Sequence, residues 1–104
     1  MELTLLTVPD CPNAAGFEAR LALALAGLPD AVVRRREIAS EREAAEVGMR
    51  GSPTLLINGV DPFAVPGQAL GLACRLYRDA AGRAAGAPTV EALRRALEQA
   101  SAQG

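Results

Sequence analysis

A chain of 104 residues can build one domain around a single modest core. Half of the residues are hydrophobic but only 3% are aromatic, so the core is expected from Leu, Val, Ile and Ala, with no platform for stacking bases. A net charge of −1 excludes a general attraction to nucleic acid or anionic membrane, and the absence of histidine excludes a Cys–His pair and any histidine-bearing zinc site.

The opening residues Met1-Glu2-Leu3-Thr4 carry no basic stretch, and no apolar run is long enough to cross a bilayer. The expected setting is a reducing cytoplasm, with neither nucleic acid nor membrane as partner. In that setting the two cysteines, Cys11 and Cys74, are expected as free, metal-binding or catalytic thiols.

Leu3-Thr4-Leu5-Leu6-Thr7-Val8 reads as a strand buried on both faces, stopped by Pro9. A helix is expected from Pro12 to about Ala26, with Phe17, Leu21, Ala24 and Leu28 along one stripe and Gly27 and Pro29 at its end. Ala31 to Ile38 predicts a second strand, placed at a sheet edge by the run Arg34-Arg35-Arg36. Ser40 and Glu43 form a capping box that starts a short helix, closed by Gly48. Gly51-Ser52-Pro53 leads into a third strand, Thr54 to Ile57, that ends at Asn58-Gly59. A long loop from Val60 to Gly71 precedes a fourth strand, Leu72 to Arg78, followed by a small-residue segment to Pro88. Thr89 is expected to cap a last helix, with Val90, Leu93 and Leu97 on one face. The order β-α-β-α-β-β-α predicts one α/β domain over residues 1–104. Its four-stranded mixed sheet, closed by an antiparallel hairpin, is flanked by three helices.

Two segments, Val8-Pro9-Asp10-Cys11-Pro12-Asn13-Ala14 and Gly51-Ser52-Pro53-Thr54-Leu55-Leu56-Ile57-Asn58-Gly59, together with this element order, resemble the thioredoxin/glutaredoxin superfamily. The likeness extends over essentially the whole chain, and outside these two segments the chain resembles the small thioredoxin-like proteins of high-GC bacteria. It implies that Cys11 is the redox-active thiol and that Pro53 is a cis-proline facing it. It further implies that Pro12, Asn13, Ser52, Pro53 and Thr54 border the substrate, with the Ser52 backbone pairing to an extended peptide or glutathione. The chain departs from the dithiol pattern at Ala14, where thioredoxins carry a second cysteine, so Cys11-Pro12-Asn13-Ala14 is a monothiol version of the motif.

A thiol at a helix start faces unpaired N–H groups and the positive end of the helix dipole, which favour the reactive thiolate. Asp10 opposes that effect and Arg50 offsets it in part. Cys74 is a candidate resolving thiol, but a fourth strand returning antiparallel to the third places it towards the far end of the sheet and brings Arg78, not Cys74, near Pro53. The bland alternative for Cys74 is a small residue packed in a strand. Asp61-Pro62-Phe63 is placed at the rim of a site, since loops of that length in small domains are often functional.

The leading expectation is a thiol-dependent oxidoreductase in which Cys11 attacks a disulfide, a glutathione mixed disulfide or a peroxide. An external thiol or Cys74 then resolves the product, and no bound cofactor or metal is expected. Two alternatives are a non-catalytic thioredoxin-like module that binds a protein partner, and handling of a soft metal or organomercurial by Cys11 and Cys74 together.

Overall fold

A computed structural model describes residues 1–28 and 30–102. Pro29, expected in the turn after the first helix, lies outside the described residues. The chain runs β1 (Glu2–Thr7), α1 (Ala14–Ala24), β2 (Val32–Glu37), α2 (Glu41–Val47), β3 (Arg50–Ser52), β4 (Thr54–Ile57), β5 (Gly71–Cys74), β6 (Tyr77–Arg78), β7 (Ala84–Ala85) and α3 (Val90–Ala102).

β1 is the centre of a three-stranded mixed sheet ordered β2-β1-β4. It pairs parallel to β2, from Glu2 with Val32 to Thr7 with Glu37, and antiparallel to β4, from Leu3 with Ile57 to Leu6 with Thr54. Every residue of β2 is exposed, in keeping with an edge strand carrying three arginines. Alternation along the strands divides the apolar side chains into two layers. Leu3, Leu5, Leu55 and Ile57 meet Phe17 and Leu21 of α1 and Leu93 and Leu97 of α3 on one face. Leu6 packs with Ile38, Ala44 and Met49 on the other, beneath α2. Burying each such leucine contributes about 1.5–3 kcal/mol, so the layers hold the ends of β1 and β4 in place.

The helices follow local chemistry with small corrections. Ser40 caps α2 by accepting from the Glu43 N–H at 3.1 Å, and Gly48 ends it in the left-handed region at φ 76°. Thr89 caps α3 through the Ala92 N–H. α1 begins at Ala14, so Pro12 precedes the helix and Asn13 occupies its cap position. The helix ends before Leu28, which is 43% exposed and contributes nothing to the stripe.

The expected four-stranded sheet is replaced by the three-stranded sheet and two smaller ones, β3-β5 and β6-β7. Nor does the predicted antiparallel return occur, since β5 runs parallel to β3. Residues 53–70 separate the two strands, more than the dozen or so that a parallel return requires, so the connection permits it, and the pairing of buried Arg75 with Asp61 holds the chain after β5 in the interior. The predicted fourth strand also breaks after Cys74, because Arg75 turns its side chain into the interior. The end of the predicted fourth strand, Tyr77–Arg78, instead forms β6 of a hairpin whose second strand, β7, lies in the small-residue segment to Pro88; Asp79 closes the turn by accepting the Ala81 and Arg83 N–H groups at 2.9 Å.

Candidate functional site

Cys11 lies beyond the C-terminal end of β1, in the turn that leads to α1. Val8-Pro9-Asp10-Cys11 is a β-turn in which the Cys11 N–H donates to the Val8 carbonyl at 3.3 Å. Proline presets the first central residue, and Asp10 takes a positive φ of 57°, a conformation that aspartate tolerates better than most side chains. The next turn continues from the Cys11 carbonyl, which accepts the Ala14 N–H at 3.3 Å. The thiol is half-buried and free.

Ser52 meets Cys11 from the other side of the sheet end. Its hydroxyl accepts the Val8 N–H at 3.0 Å and donates to the Cys11 Sγ at 3.1 Å. Because the oxygen is already held by Val8, its proton is directed at the sulfur. A donor so placed gains strength when the sulfur carries negative charge. The Ser52–Pro53 bond is cis and both residues are buried. Gly51 is required where it stands. Its φ is 102°, and a Cβ there would come within 2.8 Å of the Ala73 carbonyl oxygen and 3.0 Å of the Arg75 Cβ.

The remaining candidates divide. Pro12 is exposed beside Cys11. Asn13 faces Gly86, where a Cβ would come within 2.3 Å of the Asn13 side chain, so a larger residue there would displace that side chain. Thr54 is fully buried, its hydroxyl donating to the Gly51 carbonyl at 2.7 Å and accepting from Arg75 at 3.1 Å. It supports Gly51-Ser52-Pro53 from behind and offers a substrate no surface. The Ser52 backbone, expected to be open for a substrate strand, is occupied. Its carbonyl accepts the Arg75 N–H at 3.0 Å, and Ser52 pairs with Cys74 across β3 and β5. Cys74 is therefore at the Pro53 end of the molecule and not at the far end, a direct consequence of the parallel return. It is exposed and free.

Behind the segment is a buried polar network that the sequence reading missed in part. Asp61, expected at a rim, is interior. Its carboxylate pairs with Arg75 at 2.7 Å, both side chains being 2% exposed, and Arg50 stands 3.8 Å away. Arg75 also donates to the Phe63 carbonyl and lies 4.7 Å from the centre of the Tyr77 ring. Tyr77 donates its phenol proton to the Pro53 carbonyl and stacks edge-on against Phe17 and Phe63. Burial pushes the Tyr77 phenol well above its usual range; Arg75 counters this, while Asp61 and Cys11 add to it. It stays protonated and remains a donor. The available signal was an arginine inside the otherwise apolar run around Cys74-Arg75-Leu76-Tyr77, since such a charge is buried only when paired.

Among the described residues no group of three or more His, Cys, Asp or Glu side chains is gathered for a metal ion, and no helix is long and apolar enough to cross a membrane. Comparison with family models, curated proteins and solved structures finds no match to this chain.

Proposed function

We propose that this α/β chain is a thioredoxin-like domain acting as a thiol-dependent oxidoreductase of monothiol type, with Cys11 as nucleophile. The observation that carries the reading is the Ser52 hydroxyl, itself fixed by the Val8 N–H, donating to the Cys11 sulfur at 3.1 Å. A sulfur used only for packing needs no donor held on it. The thiolate attacks one sulfur of a disulfide, such as oxidised glutathione or a protein disulfide. A mixed disulfide forms at Cys11 and the departing thiolate takes up a proton. An external thiol then attacks the mixed disulfide and restores Cys11. With a peroxide, the same thiolate attacks one peroxide oxygen, the O–O bond breaks, the other oxygen leaves as water or an alcohol after taking up a proton, and Cys11 becomes a sulfenate. No bound cofactor enters this chemistry, and the reducing cytoplasm is its natural setting.

Incubation with oxidised glutathione, followed by intact-mass and peptide analysis, tests the reading. A glutathionyl adduct at residue 11 is expected in Cys74→Ser and none at that residue in Cys11→Ser. Failure of Cys11 to react with oxidised glutathione, a small aromatic disulfide or hydrogen peroxide, in a folded protein, overturns it.

A further inference from the structure

We propose that Cys74 is the resolving thiol of this site and takes the place of the cysteine that Ala14 lacks, so that turnover passes through a Cys11–Cys74 disulfide; this rests on the assignment of Cys11 as nucleophile. Ser52 is the common neighbour of the two cysteines. Its side chain donates to the Cys11 sulfur, and its backbone is paired in register with Cys74. Residues directly paired on adjacent strands project to the same face. The flanking residues agree. The absent Gly51 side chain points at the Arg75 Cβ, 3.0 Å away, so Gly51 and Arg75 share the inner face and Ser52 and Cys74 the opposite one.

Two further features bear on Cys74 itself. β5 occupies the edge of Ser52 on which a substrate strand was expected, which places this chain's own cysteine alongside the nucleophile's partner residue. The pairing is also irregular. Between Arg50 and Ser52 the register shifts, and Ala73 and Cys74 are both exposed, so this edge yields more readily than the regular ladder of β1. Closing the bond requires the Ser52 hydroxyl to swing off the Cys11 sulfur and β5 to draw inward.

The step balances without a bound cofactor. After Cys11 has attacked a disulfide RS–SR, releasing RS⁻, the Cys74 thiolate attacks the Cys11 sulfur of the mixed disulfide. The Cys11–Cys74 bond forms, the second RS⁻ leaves, and each departing thiolate takes up one proton. The substrate disulfide gains two electrons and the two cysteines lose them. An external thiol or dithiol reductant then returns both to the thiol form.

The experiment compares the wild-type chain with Cys74→Ser, a substitution at an exposed position, after brief exposure to oxidised glutathione and acid quenching. Wild type is expected to lose two hydrogens in mass, with peptides containing Cys11 and Cys74 joined and the glutathionyl adduct lost. Cys74→Ser is expected to retain that adduct at Cys11. If wild type accumulates the adduct to the same extent as Cys74→Ser, the resolving role is overturned while Cys11 remains a nucleophile. If neither protein forms an adduct at Cys11 and no Cys11–Cys74 bond appears, the nucleophile assignment fails and the resolving role falls with it.

Discussion

The Gly51-Ser52-Pro53 segment separates two regions of opposite character. Behind it, Asp61, Arg75, Thr54 and Tyr77 form a buried network in which each charge or hydroxyl is tied to another group. In front of it, Cys11 is half-buried and held through one hydroxyl, and Cys74 is exposed. On the proposed reading, a reactive thiol has to meet its partner and let it go, which sparse surroundings allow, while the backbone that presents Ser52 to it is held from behind. Rigidity lies on one side of these three residues and access on the other.

The contrast can be broken most severely from behind. Asp61→Ala leaves the Arg75 guanidinium buried without its carboxylate and is expected to cost about 3–5 kcal/mol, read by urea unfolding against wild type. A loss below about 1 kcal/mol removes the network as the support of the segment.

Ser52→Ala acts on the front and is expected to cost less. It leaves the Val8 N–H without its acceptor, for about 1–3 kcal/mol of stability. It also removes the donor on the Cys11 sulfur, so glutathionylation at neutral pH should slow several-fold. Unfolding and adduct formation separate the two effects, and an unchanged rate removes Ser52 from the chemistry.

The smallest effect sharpens the comparison through pH. Tyr77 titrates higher in the folded chain than its unfolded value of about 10. Above pH 10 the unfolded chain releases this proton first, so the folded state holds more protons and stability falls as pH rises. Below pH 10 the contribution is fully present. One such group gives a slope of at most about 1.4 kcal/mol per pH unit. In Tyr77→Phe this part of the slope between pH 10 and 11 should vanish, measured by urea unfolding at each pH. An identical slope in both proteins removes Tyr77 from the buried network.

Local chemistry made the α/β alternation legible, and with it much of the candidate site. The Ser40 and Thr89 caps, the left-handed Gly48 and the arginine-bearing edge strand are each decided within a few neighbouring residues, because capping and turn geometry are short-range. The turn at Val8-Pro9-Asp10-Cys11 belongs to the same class, and it places the thiol at the end of β1. Leu28 and Pro12 mark the limit, since propensity could not say where α1 stops and starts.

What only the tertiary structure decided is the direction in which the chain returns after β4. β5 is four small or apolar residues with none fully buried, so its pattern carries no periodicity that distinguishes an antiparallel from a parallel return. The choice is made across distance, by β5 pairing with β3 and by Asp61 finding Arg75 in the interior. That one choice moves Cys74 from the far end of the sheet to the side of Ser52. The place of Cys11 at the end of β1 was readable from its own segment, whereas its relation to the second cysteine depended on a pairing between residues far apart in the chain.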